Sequence, residues 1–70
     1  MTGFETVNRV YPGLLEARRR ANLSQQQLAN RVGTGDATIS GWERGAAVRF
    51  RAHWDALVAV LGEPKKELIE

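Results

Sequence analysis

Apolar residues recur along this chain at helical spacing, in short blocks separated by glycine, proline and small polar residues. Leu28 and Val32 stand i, i+4, so both point into a core, with the small Ala29 beside them. Ile39 and Trp42, i and i+3, form the stripe of the next block. The punctuation between them is specific. Ser24 is a good N-cap, and Gln27 completes an S-x-x-Q capping box. Gly33 follows the last apolar residue, where helices often end left-handed. Thr34 and Gly35 make a turn, and Asp36 opens the next helix with a negative charge at its positive dipole end. Gly45 stops that helix one residue past Arg44. Residues 24–45 therefore predict two short helices joined at Gly33.

The flanks read as support. Pro12-Gly13 begins a helix carrying Leu14, Leu15, Arg18 and Ala21, which Asn22 ends in a left-handed turn. Leu23 then packs beneath the motif. The AAVRFR stretch after Gly45 lacks strong periodicity and reads as a loop. Trp54, Leu57, Val58 and Leu61 form an i, i+3, i+4, i+7 stripe, so residues 52–61 predict a fourth helix closed by Gly62. Pro64 opens a short last helix bearing Leu68 and Ile69. In residues 1–11, Phe4, Val7 and Val10 recur every three, which fits a short helix, a flexible arm or a pairing strand. The expected fold is all-α, a bundle of about five short helices, with an N-terminal segment 1–11 and one domain over 12–70.

Composition narrows the class. A chain of 70 residues buries only about 60% of its unfolded surface, so a single modest core is expected. The chain has no cysteine, which excludes disulfides and thiolate metal sites. No apolar run is long enough to span a bilayer and no signal-peptide pattern is evident, so the expectation is a cytoplasmic protein without membrane contact.

Net charge is only +2, but it is unevenly spread. From Arg9 to Arg51 eight arginines face Glu16, Asp36 and Glu43, whereas residues 52–70 hold Lys65 and Lys66 against four acidic residues. A basic part built from arginine suits bidentate phosphate contact.

Catalytic readings find no support. His53, the one histidine, is expected at the surface near the start of its helix, with no second ligand type clustered around it. Ser24 and Ser40 lack a base in reach, and Trp42 and Trp54 read as core. No enzyme activity, cofactor, metal or small-molecule ligand is expected.

These residues resemble the Cro/repressor-type helix-turn-helix family of phage and bacterial transcriptional regulators, over about Leu14 to Leu68. Gln25 stands at the head of the first motif helix as in that family, Ala29 four residues on and Gly33 eight on. Ile39 and Trp42 follow at fourteen and seventeen, and Trp42-Glu43-Arg44-Gly45 matches the family's close. Two positions depart from the pattern. Thr34 stands where an apolar residue is usual, and Gly41 lies mid-helix in a recognition helix with few long polar side chains.

The resemblance implies a repressor-like domain whose second motif helix enters the DNA major groove. Asp36, Ala37, Thr38, Ser40 and Gly41 would then face the bases, although Asp36 is equally read as a dipole-compensating residue held off the DNA. Ser24, Gln25, Thr34, Arg44, Arg49 and Arg51 would meet phosphates, with helix capping as the competing role for Gln25 and Gln27. Family members pair residues at the places of Arg18 and Glu43, so a structural ion pair is implied there; the alternative makes Arg18 an exposed phosphate ligand beside Arg19 and Arg20. The implied partner is double-stranded operator DNA, bound as a homodimer. Self-association would use Phe4, Val7 and Tyr11, or Leu68 and Ile69 as the family favours. A second class of function, an antitoxin or phage accessory protein whose main partner is a protein, also uses such domains.

Overall fold

A computed structural model describes residues 5–64. The order is β1 (Thr6–Arg9), α1 (Leu14–Arg20), α2 (Gln25–Val32), α3 (Asp36–Glu43), β2 (Val48–Phe50) and α4 (Arg51–Leu61). The helices lie close to where their apolar stripes put them. The α2 start follows from its cap: Ser24 Oγ accepts from the Gln27 N–H at 3.0 Å, and Gln27 Oε1 accepts from the Ser24 N–H at 2.8 Å. Its end follows from Gly33, whose φ of 91° is strained for any residue with a Cβ. The N–H groups of Gly33 and Thr34 both donate to Ala29 O, closing the turn.

The sheet corrects the all-α expectation. Four helices and an antiparallel pair of strands occupy the described residues, where about five helices were expected. The helix expected from Pro64, with Leu68 and Ile69, lies outside the described residues. The AAVRFR stretch is not a loop throughout, because Val48–Phe50 pairs with Thr6–Arg9. Three residues are too few to display an alternation, and the pairing is made by a segment some forty residues away. The register runs Thr6 to Phe50 and Arg9 to Val48, so β1 carries one residue more than β2 between the same ends. This bulge is accommodated at Asn8, whose φ of 48° lies in the left-handed region that asparagine tolerates.

The core gathers both parts. Leu14, Leu28, Ile39, Val48 and Leu57 are fully buried, one from each helix and one from β2. Ala29, Val32, Trp42, Trp54 and Tyr11 complete it, with Leu23, Val58, Leu61 and Val7 packed against its edge. The end of β1 is pinned from several sides. Arg9 places its guanidinium 4.2 Å from the centroid of a Trp54 ring, Tyr11 stacks obliquely on Trp54 at 5.6 Å, and the Tyr11 hydroxyl donates to Gly62 O at 2.6 Å. Burial and the nearby Glu63 raise the Tyr11 pKa above its ordinary value, against an opposing effect of Arg20. Tyr11 is thus buried and Val7 half-buried against the core, while Val10 beside them is exposed. No helix among the described residues is long and apolar enough to cross a membrane.

Candidate nucleic-acid interface

Helix α3 is held on one side and open on the other. Ile39 and Trp42 anchor it in the core, and Glu43 locks its last turn. Glu43 Oε2 accepts from Arg18 Nε at 2.5 Å, and its Oε1 accepts from Gln25 Nε2 at 2.9 Å and more loosely from Arg18 Nη2 at 3.4 Å. Arg18 also donates through Nη1 to Leu23 O at 2.8 Å. One carboxylate therefore joins α1, the α1–α2 turn and the head of α2 to the end of α3. Burial pushes the Glu43 pKa up, but the hydrogen bonds from Arg18 and Gln25 and the charges of Arg18 and Arg19 outweigh it, and the net shift is downward.

On the open side, Asp36, Ala37, Thr38 and Arg44 are exposed. Ser40 and Gly41 are only half exposed. Arg44 leans back over Ser40, its Nη2 donating to Ser40 Oγ at 3.3 Å. A Cβ built on Gly41 would meet nothing within 4 Å outside its own helix, so no neighbour among the described residues demands a glycine there. Asp36 stands at the first position of α3, whose N-cap, Gly35, provides no side-chain bond. Its carboxylate is thus placed to offset the positive end of the helix.

The residues expected at phosphates lie around α3 in different states. Ser24 and Gln27 satisfy one another, and the Gln25 amide is already engaged by Glu43, which gives Gln25 a structural role the sequence left open. Thr34 is half-buried in the turn before α3. Arg49 is exposed on β2 and has no carboxylate partner among the described residues. Arg51 is exposed too, but its Nε lies 3.5 Å from Glu5 Oε1, and its backbone N–H donates to Glu5 O at 2.7 Å. Arg9 and Arg18, counted in the basic part of the sequence, are spent on Trp54 and Glu43.

Sequence reasoning missed one feature. A cleft of about 220 Å³ runs along α3 between Thr34 and Thr38 on one wall and Arg49, Phe50 and His53 on the other, with Trp42 at its side. His53 is half-buried rather than a plain surface residue, its ring 5.5 Å from that of Trp42 and 6.1 Å from that of Phe50. Only the β2 pairing, invisible in the sequence pattern, brings Arg49 and Phe50 to this place.

Among the described residues, no group of three or more His, Asp or Glu side chains is gathered to hold a metal. Comparison with curated proteins, and with solved structures, found no match. A family profile described as a helix-turn-helix domain matches residues 14–69, most of the chain, and takes in α1 to α4 together. The protein belongs to this helix-turn-helix family, whose domains are typically DNA-binding and non-enzymatic.

Proposed function

We propose that the protein is a sequence-specific transcriptional regulator, a Cro-like repressor that binds a palindromic operator as a homodimer. The observation that carries this reading is the two-sidedness of α3: its core face and last turn are fixed by Ile39, Trp42 and Glu43, while Asp36, Ala37 and Thr38 stand exposed at its N-terminal end. In helix-turn-helix proteins the N-terminal residues of the second helix contact base edges. Ala37 and the Thr38 methyl suit a thymine methyl, and Asp36 suits a cytosine amino group. Ser40 and the open backbone at Gly41 lie further along the same groove-facing side. Ser24, the α2 N-terminus beside Gln25, Thr34, Arg44, Arg49 and Arg51 flank α3 and serve the phosphates. With so few side chains to read bases, part of the specificity comes from the shape of the site.

Repression then works by occupancy, a dimer covering two half-sites about 34 Å apart and excluding polymerase. The C-terminal end with Leu68 and Ile69 is the proposed dimer contact, since Val7 and Tyr11 are used inside the chain. Selection of bound duplexes from a random library tests this. The expected outcome is an inverted repeat with half-sites one helical turn apart. A single ungapped half-site would remove the dimer, and recovery of no preferred sequence would remove specific recognition.

A further inference from the structure

We propose that the cleft beside α3 seats one phosphate of the bound DNA strand, and that His53 makes this contact dependent on pH. The inference rests on the DNA-binding reading and adds to it a residue and a form of regulation. Thr38, exposed near the start of α3, lines the cleft, so DNA lying against α3 in the proposed complex borders it. Its polar groups are two hydroxyls, a guanidinium, an imidazole and the Trp42 indole N–H, with no carboxylate in the lining. This is a donor set suited to an oxyanion. Phe50, 39% exposed, and Ala47 give it an apolar flank, as a deoxyribose attached to that phosphate would use.

His53 makes no hydrogen bond within the described residues, and no buried side-chain nitrogen or oxygen there lacks a partner. Its ring nitrogens are therefore not sealed from solvent, and the ring packs 5.5 Å from that of Trp42 and 6.1 Å from that of Phe50. The charged surroundings are simple. From α3 the cleft receives Thr38 and Trp42, from the preceding turn Thr34, and from β2 Arg49 as its one other ionisable group. On α4, Arg51 pairs with Glu5, and exposed Asp55, two positions after His53, leaves the helix on the opposite side. Imidazole changes charge between about pH 5 and 8. A phosphate in the cleft stabilises the imidazolium, so binding takes up a proton and tightens as pH falls.

The test uses the full chain and a labelled random-sequence duplex of about three helical turns, with anisotropy titrations at constant ionic strength. From about pH 7.5 to about pH 6 the affinity is expected to rise roughly three- to tenfold. In His53→Gln that rise should vanish, with the variant's circular dichroism and melting curve matching the parent. Because the sequence has a single histidine, its ring proton resonances are identified without assignment. At about pH 6 these resonances should shift on adding the duplex. DNA binding with the same pH dependence in His53→Gln, or with unmoved His53 ring resonances, overturns the seat and leaves the DNA-binding reading standing. No binding of any duplex at either pH overturns both.

Discussion

Arg18 Nε lies 2.5 Å from Glu43 Oε2, with 12% and 7% of the two side chains exposed. Removing one member of a shielded pair strands the other charge, at a cost of about 3–5 kcal/mol. That is a large share of the roughly 5–15 kcal/mol available to a domain. Glu43→Ala should therefore lower the melting temperature by more than about 10 °C, measured by circular dichroism. A variant melting like the parent would show that the pair holds nothing.

The same carboxylate makes a prediction about acid. Its pKa lies below the ordinary value of 4.5 in the folded chain. Folding is thus favoured by the ionised form, and this contribution is present above about pH 4.5 and lost as pH falls through the folded value. The gap in melting temperature between the parent and Glu43→Gln should hold steady from about pH 7 to 5 and close below that. A gap that stays constant to about pH 3 would contradict the assignment.

Gly41 permits a test that separates stability from recognition. An alanine Cβ has open space there among the described residues, and glycine inside a helix costs about 1 kcal/mol relative to alanine. Gly41→Ala should raise the melting temperature by roughly 4–8 °C. If DNA approaches the backbone closely at this point, the same variant binds duplex more weakly. Unchanged affinity would place Gly41 off the DNA.

Much of this arrangement was legible in the sequence, for local reasons. Ser24 and Gln27 announce the start of α2, Gly33 its end, and the Trp54–Leu61 stripe the last helix, because each acts within one or two turns. The sheet was half legible: a pairing strand is one of three readings of residues 1–11, but its partner stretch reads as a loop. Val48–Phe50 becomes a strand only because Thr6–Arg9 lies beside it, and the bulge at Asn8 further blurs the alternation. The cleft depends on that pairing, so Phe50 and His53 could not be assigned to it from spacing. Thr34, half-buried in the turn before α3, lines the cleft instead of filling the core.

Arg49 and Arg51 differ in how freely they can meet phosphate. Arg49→Ala should weaken binding to all duplexes alike and lower the slope of log K against log salt by about one. Arg51 must first leave Glu5, so Glu5→Gln should strengthen binding, most clearly at low salt. Titrations at several salt concentrations measure both. If neither variant changes affinity or slope, the β2–α4 corner does not touch DNA.

In the proposed complex the open side of α3 meets the DNA. Amide chemical-shift mapping of the full chain, titrated with duplex at about 50 mM salt, tests it directly. The largest changes are expected over Asp36–Arg44, Gln25, Thr34 and Arg49, with Asp55 and Ala59 on α4 nearly still. Changes concentrated on α4 away from the cleft, or none at all, would contradict it.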